Sequence, residues 1–179
     1  MEKFVFEIFS RKGKPRISII FLIILSLAPI NPSARNTTTV QTFKDWKLQC
    51  DVIAEAGKKS CYLKQTAGLK KIGKPMYQMA VYHNKKSKKS FIVLTLPLGI
   101  PLSPGVFLKI DDGKPVMFSF NRCVPRGCRV RIALDDDLLK EFKAGGKVLI
   151  TYRNIKQRPI TTEISLFGFT AGLRALQFH

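Results

Sequence analysis

A chain of 179 residues with 45% hydrophobic side chains can bury a core of its own, and its composition is that of a globular domain. Thirty-one Lys and Arg against 12 Asp and Glu give a formal charge of +19, which excludes a neutral surface and favours anionic partners: lipid, nucleic acid or acidic glycan. Five cations against two acids in residues 1–34 carry little of that excess, so +16 rests on the remainder.

Residues 1–16 are basic, and Ile17–Ala28 then runs apolar and uncharged into Pro29, Asn31, Pro32 and Ser33. A basic start, a short apolar stretch and a small-residue exit describe an export signal over 1–34. The apolar run is shorter than the roughly 20 residues of a bilayer span. The expectation is one domain over 35–179, exported to the periplasm or outer membrane, with no transmembrane helix and no nucleic-acid partner.

Export gives the four cysteines a meaning, because an even count in an oxidising compartment reads as disulfides. Cys50 with Cys61 and Cys123 with Cys128 each flank a polar loop and would clamp adjacent strands. Loops of this size are worth about 2–3 kcal/mol each in the chain-entropy account. Zinc is the rival reading, but the spacings fit no common ligand pattern and no histidine accompanies them. A thiol–disulfide exchange role for Cys123 and Cys128 is weaker, since redox pairs sit closer together at a helix start.

Asn36–Thr42 is polar and expected to lack regular structure. Trp46–Cys50 and Cys61–Gln65 alternate apolar and polar as half-buried strands do. Gly68–Lys74 matches seven positions of a phosphate-binding loop, but Pro75 replaces the hydroxyl residue and lacks the amide of a phosphate cradle. A basic loop carrying Lys70, Lys71 and Lys74 is the better reading. Met76–His83 and the β-branched Phe91–Leu96 read as a hairpin whose tip holds Lys85, Lys86, Lys88 and Lys89.

Val106–Ile110 and Val116–Phe120 flank Asp111-Asp112-Gly113-Lys114, a strong hairpin-turn signal, and the rest of the chain is expected to pack around this hairpin. In Arg129–Leu134, Val130, Ile132 and Leu134 point inward. Asp135 caps a helix with Asp136 and Asp137 at its positive end, a stripe of Leu138, Leu139 and Phe142, and Gly145 as its stop. Val148–Tyr152 and Ile160–Leu166 are further strands. Phe169, Leu173 and Leu176 are spaced for a closing helix on the sheet edge. About eight or nine short strands with turn signals every ten residues or so favour an all-β, mainly antiparallel sandwich or barrel-like sheet with one internal and one C-terminal helix.

The order of Trp46 with Cys50, Cys61, Leu96-Pro97-Leu98-Gly99, Pro104-Gly105-Val106, Ile110-Asp111, Cys123 with Gly127-Cys128, Leu134-Asp135 and Ser165-Leu166-Phe167-Gly168-Phe169 resembles the invasion-associated locus B family of exported α-proteobacterial proteins. The lysine content exceeds what that pattern requires. The resemblance implies an envelope protein that, in pathogenic members, serves entry into host cells, notably erythrocytes. It implies no reaction, cofactor or catalytic residue. The residues agree: there are two histidines, His83 and His179, and no nucleophile motif. A non-enzymatic protein docking anionic lipid, lipopolysaccharide or a host-cell surface through Lys70, Lys71, Lys74, Lys85, Lys86, Lys88 and Lys89 is the expectation, with the two lysine groups sharing one end of the sheet. The alternative is an envelope enzyme with a dispersed site.

Overall fold

The computed structural model describes residues 37–53, 58–67 and 77–179; the expected leader and Lys70, Lys71 and Lys74 lie outside them. Alternating side chains build two antiparallel sheets. Strands β1 (Thr37–Phe43), β2 (Trp46–Ile53), β3 (Lys58–Ala67), β4 (Tyr77–Asn84), β5 (Lys89–Leu96), β8 (Arg122–Val124) and β9 (Gly127–Leu134) form a seven-stranded sheet in the order β1-β2-β3-β4-β5-β9-β8. Strands β6 (Val106–Ile110), β7 (Val116–Phe118), β10 (Lys147–Arg153) and β11 (Pro159–Ser165) form a four-stranded sheet in the order β11-β10-β6-β7. Inward residues of both, among them Leu63, Val81, Ile92, Leu94, Val130 and Ile132 from the first and Val106, Val148, Ile150 and Ile164 from the second, join one buried cluster. This is the mainly antiparallel β architecture expected, with two helices.

Several local expectations are corrected. Thr37–Phe43 is a strand, paired with β2 from Thr37 opposite Val52 to Phe43 opposite Trp46. Its side chains are exposed except for Phe43, which is half-buried, so it holds its place by backbone bonds that need no apolar alternation. The hairpin β6–β7 is not the centre: β7 is a three-residue edge strand with Val116 and Met117 exposed. The centre is β4-β5-β9, where the buried side chains are densest.

Helix α1 (Asp136–Ala144) begins as expected, with Asp135 Oδ1 accepting from the Leu138 amide at 2.9 Å. Gly145 closes it in an extended conformation rather than a left-handed one, its amide donating to the Glu141 carbonyl. Helix α2 (Phe169–Phe178) buries Phe169, Leu173 and Leu176, the expected stripe. It packs across β1 to β4 with Gly172 over Leu63, on the inner face of the large sheet and not along its edge. The edge could not bury three large side chains on one helical face; the inner face can.

The two sheets are joined beside α2. The Trp46 indole is fully buried and donates to the Ser165 carbonyl at 2.9 Å. Gln65 bonds the same residue twice, donating to its carbonyl and accepting from its amide at 3.0 Å. Gly168, at φ +92°, turns the chain from β11 into α2 so closely that a Cβ there would run into the Phe43 carbonyl oxygen. Replacing it with alanine combines a strained conformation with a backbone clash, and Gly168→Ala should cost roughly 2–3 kcal/mol. Gly146→Ala, where the added carbon meets only ordinary contacts, should be near neutral. Urea unfolding midpoints of the two variants check this; equal midpoints would contradict the packing described.

Candidate functional site

Both disulfides bridge residues directly opposite each other on neighbouring strands. Cys50 faces Cys61 across β2–β3, and Cys123 faces Cys128 across β8–β9. Cys50 and Cys128 are buried, so each bridge ties a hairpin end to the core. A ring nitrogen of His179 lies within 4.8 Å of the Cys50 and Cys61 sulfurs, yet sulfurs joined to each other are not the thiolates a zinc ion takes.

The β4–β5 hairpin forms as expected, Asn84 opposite Lys89, and exposes Lys85, Lys86, Lys88 and Lys89. The Asn84 carboxamide oxygen accepts from the amides of Lys86 and Ser87, which fixes the turn. Ala67 and Tyr77, which bracket residues 68–76, pair at the other end of β4. Eight residues at about 3.4 Å each separate the two ends, so the strand order does not bring the flanks of Lys70, Lys71 and Lys74 to the lysine turn. The neighbours it supplies are Lys58 and Lys59, exposed at the start of β3, and the end of α2. Lys59 Nζ lies 3.2 Å from His179 Nδ1, and Gln177 lines a shallow depression with His83, Lys85 and Lys88. Phe178 stands between them in sequence and is 83% exposed. His83 Nδ1 is 3.0 Å from the buried Ser90 hydroxyl, but among the described residues no carboxylate orients the imidazole as a base would require.

Sequence reading missed a second feature, on the outer face of the large sheet. There Ala80, Val93 and Thr95 floor a groove of about 890 Å³. On one side Tyr62, Tyr82 and Phe91 stand in a row, their ring centroids 5.5 and 5.3 Å apart, and the Arg131 guanidinium lies 3.9 Å from the Phe91 centroid. The β8–β9 hairpin contributes Arg122, Arg126 and Arg129 to the same lining. Beyond Tyr62, Asp51 accepts from its hydroxyl at 3.1 Å, from Gln49 at 2.8 Å and from Thr38 at 2.9 Å. The Gln49 bond is the main reason the Asp51 carboxyl is held below its ordinary range. Burial, then the Asp51 charge, pushes the Tyr62 phenol up to about 12, while Arg126 pulls the other way. Burial likewise raises Tyr82, against the pull of Arg129. The available signal was aromatic residues at outward positions, where a solvated face would carry polar ones.

A model of the family described as invasion associated locus B (IalB) protein matches residues 46–177. An invasion protein B homolog of Brucella abortus (strain 2308) is 28% identical over 142 residues, 79% of this chain and 80% of the relative. Invasion protein B of Bartonella bacilliformis is 33% identical over 87 residues, 46% of this chain and 47% of the relative. The crystal structure of invasion associated protein b from Bartonella henselae superposes with a TM-score of 0.68 at 26% identity, covering 77% of this chain and 94% of that one.

The Tyr62 phenol gives a pH test. A raised folded-state value means its contribution to stability is whole below the unfolded value near 10 and is lost as pH rises through about 12. Stability of the wild type should fall across that window more steeply than that of Tyr62→Phe, measured by urea unfolding at several pH values. Equal slopes would contradict the Tyr62–Asp51 arrangement.

Proposed function

This chain belongs to the invasion associated locus B family, a membership that implies a role in host invasion, and from it we propose an exported, non-enzymatic factor whose lysine-rich end docks on an anionic membrane. The carrying observation is the gathering of Lys58, Lys59, Lys85, Lys86, Lys88 and Lys89 around the end of α2. None of these six forms an ion pair among the described residues, where Lys147 and Glu163 make the one bridge.

Lysines this close repel one another, and an anionic surface relieves that repulsion. Each is worth about 1 kcal/mol near an anionic leaflet, so six give on the order of 6 kcal/mol, enough for reversible docking. Phe178 adds an apolar tooth among the cations, the pairing of charge and aromatic insertion that interfacial segments use. Lys70, Lys71 and Lys74 are not needed for this reading. Export places the protein where it can meet such a surface.

Co-sedimentation tests the reading with vesicles of phosphatidylcholine alone and of phosphatidylcholine mixed with phosphatidylglycerol, across a salt series. The wild type should bind the anionic vesicles only, and less as salt rises. Glutamate at Lys85, Lys86, Lys88 and Lys89 together should weaken binding by at least about tenfold, since more than 1.4 kcal/mol is removed. Phe178→Ala should weaken it by about tenfold, from the lost burial of one aromatic ring. Binding by the glutamate variant equal to wild type would overturn the proposal.

A further inference from the structure

We propose that the groove on the outer face of the seven-stranded sheet binds a short oligosaccharide bearing carboxylate or sulfate groups. The site is independent of the lysine-rich end and involves none of its residues.

Four arginines line this groove, and no carboxylate pairs with any of them among the described residues. Arg122 and Arg129 are directly opposite each other on β8 and β9, a placement in which like charges destabilise a sheet. The Arg129 Nε–H is buried and has no hydrogen-bond partner among the described residues. Arg131 and Arg129 stand opposite Val93 and Thr95, so their side chains rise from the groove's own floor. A solvated face would mix in acids. This one leaves the guanidinium forks uncommitted, and those forks match the planar geometry of carboxylate and sulfate oxygens.

The arginines are also held. Arg131 is the last member of the row Tyr62–Tyr82–Phe91–Arg131, stacked across four adjacent strands. A guanidinium packed on a ring loses rotamer freedom before any ligand arrives, which lowers the cost of binding. Arg122, Arg126 and Arg129 sit on a hairpin that the Cys123–Cys128 disulfide closes. That gives the disulfide a positioning role for which no redox chemistry is needed.

The choice of sugar over a uniform polyanion rests on the groove's asymmetry. Its arginines lie at the β8–β9 side. Its other side carries Gln49, Gln78, Tyr62 and a single lysine, Lys64, and beyond them Asp51. Amides, a phenol and a lone ammonium suit the hydroxyl groups and spaced anions of a sugar, and the nearby Asp51 carboxylate repels a continuous phosphate backbone. The ring faces are turned against each other, so the row does not offer the open stacking platforms that single-stranded nucleic acid uses. A volume of about 890 Å³ is that of a ligand pocket and holds a short oligomer.

The test is calorimetric titration of the full exported domain with a heparin-derived hexasaccharide. Controls are the desulfated hexasaccharide, inorganic polyphosphate and an oligothymidylate. The wild type should bind the sulfated sugar and lose at least tenfold without its sulfates. Arg126→Gln with Arg131→Gln, both exposed residues, should weaken binding at least tenfold with an unchanged unfolding midpoint. Tyr82→Phe, which keeps the ring row, should bind as wild type, whereas Tyr82→Ala should weaken binding by freeing Arg131. The glutamate variant at the lysine turn should keep its affinity within about twofold, a margin well under the tenfold that 1.4 kcal/mol represents. Equal binding by the Arg126/Arg131 variant, or polyphosphate or oligothymidylate binding as tightly as the sulfated sugar, would overturn the proposal. Loss of sugar binding in the lysine-turn variant alone would do the same while leaving membrane docking standing.

Discussion

The fold turns on the Ser165 carbonyl, which accepts both the Trp46 indole and the Gln65 amide. Trp46 opens β2 and Gln65 lies near the end of β3, while Ser165 closes the last strand of the other sheet. A part-buried carbonyl left without donors would cost more than the bonds gain, so the three residues specify how the sheets meet. Trp46 then sets Phe169 edge-on at 5.3 Å, and Phe169 contacts Phe142 of α1 at 5.4 Å. One aromatic chain thus fixes both helices against the strands they cover. With α2 held there, its last turn meets the lysine-bearing hairpin.

The same alternation that fills the interior decides what the surface can do. In β9, Val130, Ile132 and Leu134 face inward, so Arg129 and Arg131 must face out beside the outward residues of β5. The disulfides act on that arrangement more than on the core alone. Cys123–Cys128 fixes an edge hairpin of only three register pairs, which would otherwise fray, and its arginines would scatter with it. Cys50–Cys61 stiffens β2–β3 beside the Asp51 network, which is next in register toward the lysines at Lys58 and Lys59. Charge is therefore carried in two different ways: lysines without ion pairs among the described residues at a sheet end, and arginines on a sheet face, Arg131 stacked on Phe91 and the others on a disulfide-closed hairpin.

Much of the fold was legible because its signals are local. Period-two alternation marked β2, β3 and β9, Asp135 marked the start of α1, and Phe169, Leu173 and Leu176 marked α2. Each cysteine pair closes a single hairpin, so its partner could be read from spacing. Where the signal was not local, reading failed. Strand β1 is polar along most of its length and is held by backbone pairing that leaves no pattern. The Asp111-Gly113 turn was recognised, but not that Asp111 also accepts from the amides of Gly146 and Lys147, which ties β6 to β10 rather than making its own hairpin central. The groove takes Tyr62, Tyr82, Phe91 and Arg131 from four strands, and only the register across the sheet shows that they touch. The lysine end was half legible. Its turn was evident, but the partners of that turn are set by strand direction, which supplies Lys58 and Lys59.

The proposed docking would set the lysine end of this sandwich against a membrane and leave the arginine groove open on its flank. Hydrogen–deuterium exchange of the protein bound to anionic vesicles tests that most directly, because it reports every segment at once. Slower exchange is expected at residues 58–60, 84–89 and the last turn of α2, with residues 122–131 unchanged from the free protein. Protection spread over residues 122–131 with the lysine turn unaffected would contradict it.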